Sequence, residues 1–204
     1  MDPTPSARSG GAATPTRVRL RRAERREQLL TAATRAFARS GFAATSLDDI
    51  AAEAGVTAVI LYRHFDSKAD LYRAVLDRTS ARLASVVGTD NFTHAAYAAL
   101  IEAARADPDG FRLLFRYAAR EPQFRDRTDT TAALATDTAR HNLATRLQDQ
   151  EWGGWAALLV PVVTIEAVLA WLDAGQPQPE QAAERIARVV NSVIDAAVHT
   201  PPPA

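Results

Sequence analysis

The stretch Thr45–Leu71 reads TSLDDIAAEAGVTAVILYRHFDSKADL, and its spacing decides the fold. Ser46 stands where a helix N-cap is expected, and Asp49, three residues on, completes a capping box. Leu47, Ile50, Ala51 and Ala54 then share one face, and Gly55 stops the helix after about two turns. Thr57 offers the next N-cap, with Val56, Ile60, Leu61 and Phe65 pointing one way until the chain breaks near Asp66. Ser67, with Asp70 three residues on, opens a longer helix whose Leu71, Val75, Leu76, Leu83 and Val86 carry it to Gly88. Two short helices crossing at a glycine turn form a helix-turn-helix. The second fits the major groove of DNA while the first braces it across the backbone.

Upstream of the motif, Leu29, Ala33, Ala36 and Phe37 recur at helical spacing from about Arg22, and Gly41 closes that helix. Residues 1–16 are rich in Pro, Ser, Gly, Ala and Thr, have little to bury, and are expected to be a disordered tail. Arg17, Arg19, Arg21, Arg22, Arg25 and Arg26 follow, with Glu24 the only acid among them. Such a segment can contact phosphate, or simply be a solvated helix start. The net charge of the chain is zero, yet residues 1–80 hold 13 Lys/Arg against 9 Asp/Glu and residues 81–204 hold 11 against 15. A basic first part suits a polyanion, although an offset this small also arises by chance. The absence of cysteine excludes disulfides and thiolate metal sites. No apolar run is read as reaching the ~18 residues of a membrane span, and no secretory signal is read at the start, so the cytoplasm is the expected location.

The quoted stretch closely resembles the TetR-type transcriptional regulators. The likeness rests on Thr45-Ser46, Ile50-Ala51, Ala54-Gly55-Val56-Thr57 and Leu61-Tyr62-x-His64-Phe65-x-Ser67-Lys68-x-x-Leu71, and it is specific over residues 22–78. It returns weakly at Trp171–Pro177. Thr45 and Ser46 lie at the start of the first motif helix, where a hydroxyl and helix N-terminal amides can hold a phosphate. Thr57 can spare its hydroxyl for DNA, and for Tyr62 the resemblance implies a phosphate contact. Lys68, the only lysine, sits at a helix start, which is unfavourable unless a phosphate stands between it and the helix's positive end. The outer face of the second helix is Ala58, Val59, Tyr62 and Arg63. Many relatives carry lysine and glycine where this chain has Ala58 and Val59. Arg63 can read guanine, and Ala58 or Val59 can touch a thymine methyl. His64 either donates to a phosphate or packs beside Phe65. Few base contacts are therefore expected, with DNA shape supplying the rest. Arg19 and Arg21 complete the expected DNA set.

No segment alternates as a strand does, so the chain is expected to be all-α with about nine helices. Its expected parts are a helix-turn-helix domain over 17–66, a connecting helix over 67–88, and a ligand-binding and dimerisation domain over 89–200. The later helices are expected near Phe92–Ala106, Pro108–Arg120, Arg127–Gln150, Trp155–Ala174 and Pro179–His199, with Gly153-Gly154 and Gly175 as breaks. One motif reads few base pairs, so a homodimer on a palindromic operator is expected. Leu158, Leu159, Val162, Ile165, Leu169 and Leu172 give one apolar stripe, and Ile186, Val189, Val190, Val193, Ile194 and Ala197 another. They either pair across a two-fold axis or face their own core; the resemblance favours the dimer. Phe111, Phe115, Tyr117, Trp152 and Trp155 either line a pocket or pack as core. Glu166, in an otherwise apolar helix, is expected to be buried and to need a partner such as a cationic ligand or Arg116. His141 and Asn142 are further candidates for fixing a small-molecule effector of unknown identity. The resemblance implies a repressor released by that effector, through displacement of the connecting helix. The alternatives are a ligand-blind regulator of the same fold and a helical small-molecule binder without a DNA role. No Gly-rich phosphate loop, HExxH or nucleophile elbow is present, and four scattered histidines lack metal spacing, so neither catalysis nor a cofactor is expected.

Overall fold

The computed structural model describes residues 15–87, 93–144 and 150–198, and within them the side chains of 21–86, 93–144 and 151–197. The expectations for residues 1–14, for the Arg17 and Arg19 side chains, for Gly88 and Phe92, for 145–149 and for His199 lie outside the described residues. Among the described residues the chain is all-helical: α1 (Pro15–Ala44), α2 (Leu47–Glu53), α3 (Ala58–Tyr62), α4 (Lys68–Val87), α5 (His94–Ala106), α6 (Pro108–Arg112), α7 (Arg125–Leu143), α8 (Gln150–Asp173) and α9 (Pro179–Val198). Helix α1 begins at Pro15, earlier than apolar periodicity indicates, because the sequence of its first turns is arginine-rich and carries no apolar stripe that periodicity could register.

The first four helices share one core. Leu29, Leu30, Ala33 and Phe37 of α1 meet Ile50, Leu61, Phe65, Leu71, Tyr72 and Val75, all nearly inaccessible to solvent. Gly41 breaks α1 at φ 76°, and Gly55 turns the chain from α2 to α3 at φ 66°, a left-handed conformation that glycine adopts without strain. The Val56 N–H donates to Ala51 O at 2.9 Å and the Gly55 N–H to Ala52 O at 3.0 Å, which satisfies the last carbonyls of α2.

Helices α5, α8 and α9 form the second core, with Tyr97, Leu100, Ile101, Val160, Val168, Leu169, Ile186, Val190 and Ile194 inside it. One expectation is refined here and one fails. The chain is helical over 108–120 as expected, but not in a single register. After the short α6 the chain makes a π turn (Leu113–Tyr117) and two 3-10 turns (Ala118–Arg120 and Pro122–Phe124) before α7. Pro122 disfavours a helical conformation for the residue before it, and Glu121 is extended at φ −99°, ψ 106°. Gly153-Gly154 is not a break, for α8 runs through it and through Pro161. Each glycine costs a helix about 1 kcal/mol, which burial of Ala156, Ala157, Val160, Val168, Leu169 and Leu172 offsets. This helix, over Glu151–Asp173, is also long and apolar enough to cross a membrane by length and composition, contrary to expectation; here its buried face packs against α5, α7 and α9.

The expected dimer stripes divide. Leu169, Ile186, Val190 and Ile194 are inside the chain's own core, because the i, i+4 face of α9 packs on α5 and α8. Ile165 and Val193 are half-buried, whereas Leu158, Val162 and Val189 stand 60%, 57% and 51% exposed.

Candidate DNA interface and sensing cavity

The capping box at Ser46 forms as read. The Asp49 N–H donates to Ser46 Oγ at 3.0 Å, and the Ser46 N–H donates to Asp49 Oδ2 at 2.9 Å. The Ser46 hydroxyl also donates to Asp49 Oδ2, at 2.6 Å, so it is already engaged. That hydrogen bond, with the backbone one and the charge of Arg39, holds the Asp49 carboxyl below its ordinary range.

Two residues expected at phosphate are placed otherwise. Thr45 is 2% exposed and its hydroxyl donates to Gly41 O at 2.6 Å, closing the turn after α1. Lys68 points at the end of α1: its Nζ donates to Phe42 O (2.8 Å), Ala43 O (3.2 Å) and Thr45 O (2.9 Å), and lies 4.6 Å from the Phe42 ring centroid. Orphan carbonyls at the end of α1 thus offset the cost of a lysine at a helix start without a phosphate being required. Sequence reasoning counted the positive end of α4 and missed the negative end of its neighbour.

What remains outward is compact. Val59 is 61% exposed and Tyr62 56%, Arg63 is exposed beside them, and Ala58 is half-buried at their edge. Thr57 holds the N-cap position of α3 without a side-chain capping bond, so its exposed hydroxyl is available. Leu61, fully buried, fixes the helix beneath this face. His64 is half-buried, with its ring centroid 6.4 Å from that of Phe65. Burial first, then the charges of Arg22, Arg26 and Arg25, lower its pKa from the ordinary value of 6.5, so at neutral pH it is uncharged. The turns of α1 that carry Arg22, Arg25 and Arg26 therefore lie close to the end of α3, and Arg21, one residue before them, is exposed. Gln28 ties α1 to the end of α2 by donating from Nε2 to Ala54 O at 2.9 Å.

In the second core a cavity of about 460 Å³ lies against α4, lined by Leu83 and Ala84 of α4, Tyr97 and Leu100 of α5, Phe115, Leu134 of α7 and Ile165 of α8, among others. Such a volume suits a small molecule. Of the residues expected at a ligand, the structure brings Phe115 to this cavity. Phe111 is 1% exposed in the core, 4.7 Å from the Phe115 ring, and lines a neighbouring space of about 320 Å³. His141 is exposed and Asn142 half-buried on α7, both away from the cavity lining. Trp155 is 41% exposed and meets Trp152 edge-on at 5.5 Å. Glu166 is exposed, not buried, and so needs no internal partner; Arg116 instead donates to Asp173 Oδ2 at 2.6 Å. Periodicity could not find the cavity, because beside the single Leu134 its walls on α7 are Thr131, Ala135 and Thr138, residues too small to mark a stripe.

A two-helix unit presenting an aromatic, an arginine and small apolar groups outward, built on a helix that also walls a cavity, defines a helix-turn-helix DNA-binding regulator. Comparison with known proteins agrees. A family described as "Bacterial regulatory proteins, tetR family" matches residues 29–75. Over 173 residues the chain is 35% identical to the HTH-type transcriptional activator FasR of Mycolicibacterium smegmatis, covering 78% of this chain and 77% of that one. It is 52% identical over 54 residues to the HTH-type transcriptional regulator TtgR of Pseudomonas putida, 26% of each chain. A solved TetR-like transcriptional regulator from Rhodococcus sp. RHA1 shares the fold with a TM-score of 0.72 at 21% identity, over 85% of this chain and 97% of that one. The chain belongs to the TetR family of DNA-binding transcriptional regulators.

Proposed function

We propose that the chain is a ligand-responsive repressor that binds a palindromic operator as a homodimer and lets go when a small, largely apolar molecule occupies the cavity beside α4. The observation that carries this reading is the double duty of α4: its first turn is clamped to the helix-turn-helix unit through Lys68, and its later turns wall the cavity at Leu83 and Ala84. Ala58, Val59, Tyr62 and Arg63 enter the major groove, and the Thr57 hydroxyl and Arg21 reach phosphates. Arg19, on the same helix as Arg21, adds to the basic arm. Subunits pair through the exposed ridge of Leu158 and Val162 on α8 with Val189 on α9, apolar groups that a lone chain leaves in water. The chain acts by binding and not by catalysis, and a DNA partner places it in the cytoplasm. FasR is an activator by name, so a ligand-blind or activating role on the same fold is the second reading.

Selection of bound sequences from random DNA tests the core of this. The expected result is a palindrome with half-sites about 34–36 Å apart, bound with an affinity that falls steeply with salt as counterions are released. An asymmetric site, or salt-independent retention, would contradict it. Sedimentation of Leu158→Arg is expected to show a monomer where the parent chain is a dimer. Release of the selected operator by small apolar molecules separates the ligand-responsive from the ligand-blind reading.

A further inference from the structure

We propose that the π turn Leu113–Tyr117 is the relay that carries filling of the cavity into the DNA-binding core, with Phe115 as its moving part. This rests on the sensing role above and names its route. The turn is, with Leu83 of α4, a place where the two cores interlock. Leu113 and Leu114 are 0% and 1% exposed and sit in the N-terminal core with Leu29, Phe37, Tyr72 and Val75. The next residue, Phe115, packs against both cores and lines both the 460 Å³ cavity and an adjoining groove of about 360 Å³. Three consecutive side chains thus join a cavity wall to the packing beneath the helix-turn-helix.

The backbone between them is in an uncommon register. The Ala118 N–H donates to Leu113 O, five residues back, where an α-helix would reach four. A π turn holds one residue more than an α turn, so reverting to the α register moves every side chain beyond it. The segment is also held at both ends. Arg112 Nε and Arg116 Nη1 donate to Asp173 at the end of α8, at 3.1 and 2.6 Å. On the other side Asp107 caps α6 through the Gly110 N–H at 3.0 Å, and a side chain at Gly110 would stand 2.5 Å from Asp107 Oδ2 and 2.8 Å from Thr79 Oγ1. Asp107 in turn faces Arg78, which is bonded to Thr31 and Thr34 of α1. With both ends fixed and the interior closely packed, displacement of Phe115 is taken up as a change of register in the turn and passes to Leu113 and Leu114.

The test uses side-chain volume in place of a ligand. Thr131→Phe places bulk in the cavity from α7, and Phe115→Trp enlarges the moving part itself. Each is expected to weaken binding of the selected operator tenfold or more, and to change hydrogen exchange of the α1 and α4 core amides from Leu29 to Phe37 and from Leu71 to Leu76. Phe115→Ala added to Thr131→Phe is expected to bring operator affinity back to that of Phe115→Ala alone. Operator affinity within twofold of the parent in folded Thr131→Phe and Phe115→Trp chains overturns the proposal, as does a double variant that stays weak. The exchange measurement needs no DNA, so a chain that never bound an operator would sink the regulator reading while exchange still judged the relay.

Discussion

The N-terminal unit and the C-terminal half are packed from different materials. In the first, rings interlock: Phe37 meets Tyr72 edge-on at 4.9 Å, Phe42 meets Tyr72 at 5.2 Å, and Phe124, contributed by the other half, meets Phe42 at 5.0 Å and Tyr72 at 4.4 Å. In the second, alanine and valine dominate the helix contacts, and a cavity large enough for a guest remains beside Phe115. Interlocked rings fix a geometry, which a reader of DNA needs; small side chains around free space yield, which the proposed sensor role needs.

The strongest way to break that contrast is to delete one side chain from each half. Phe37→Ala is expected to cost about 4 kcal/mol of unfolding free energy, because a fully buried ring leaves a hole that its neighbours cannot close. Leu100→Ala, on the wall of an existing cavity, is expected to fall near the low end of the range for such changes, about 2 kcal/mol. Denaturant titration compares them, and equal costs would mean the two cores do not differ as described.

Lys68→Ala sharpens the boundary between structure and DNA contact. Losing three charge-assisted bonds to the end of α1 is expected to lower stability by about 2 kcal/mol, while the slope of DNA affinity against salt stays that of the parent chain. A slope reduced by about one would return Lys68 to the phosphate backbone. Arg63→Ala is expected to do the reverse: the melting temperature holds, since the side chain is exposed and makes no bond or ion pair among the described residues, and operator affinity falls by about 1–3 kcal/mol with relaxed preference at one base.

How far the residues announced all this also differs between the halves. Caps and glycines are local devices, so Ser46–Asp49, Gly41, Gly55 and Gly175 could be placed from neighbours three residues away. Lys68 misled because its partners are Phe42, Ala43 and Thr45, more than twenty residues earlier in the chain. In the C-terminal half, an apolar stripe shows that a helix has a buried face but not which neighbour covers it, so Ile186, Val190 and Ile194 read as well for a dimer as for a core. The π turn left no periodic mark, and Glu166 was judged by its sequence neighbours when its exposure depends on the helix face it shares with Leu158 and Val162.

The smallest expected effect concerns His64, where the reading unit meets the basic arm. Burial and the nearby Arg22, Arg26 and Arg25 lower its pKa in the folded chain. The unfolded chain therefore binds more protons as pH falls below about 6.5, and stability declines through that window until the lower folded value is passed. His64→Gln is expected to flatten this part of the curve of urea midpoint against pH. DNA then separates the two roles open to the ring. Phosphates beside it would oppose the arginine field and raise its pKa, so operator affinity would strengthen from pH 7.5 to pH 6 in the parent chain and not in His64→Gln. If the ring only packs on Phe65, both chains show the same pH dependence, and phosphate recognition at this edge rests on Arg21 and its neighbours in α1 alone.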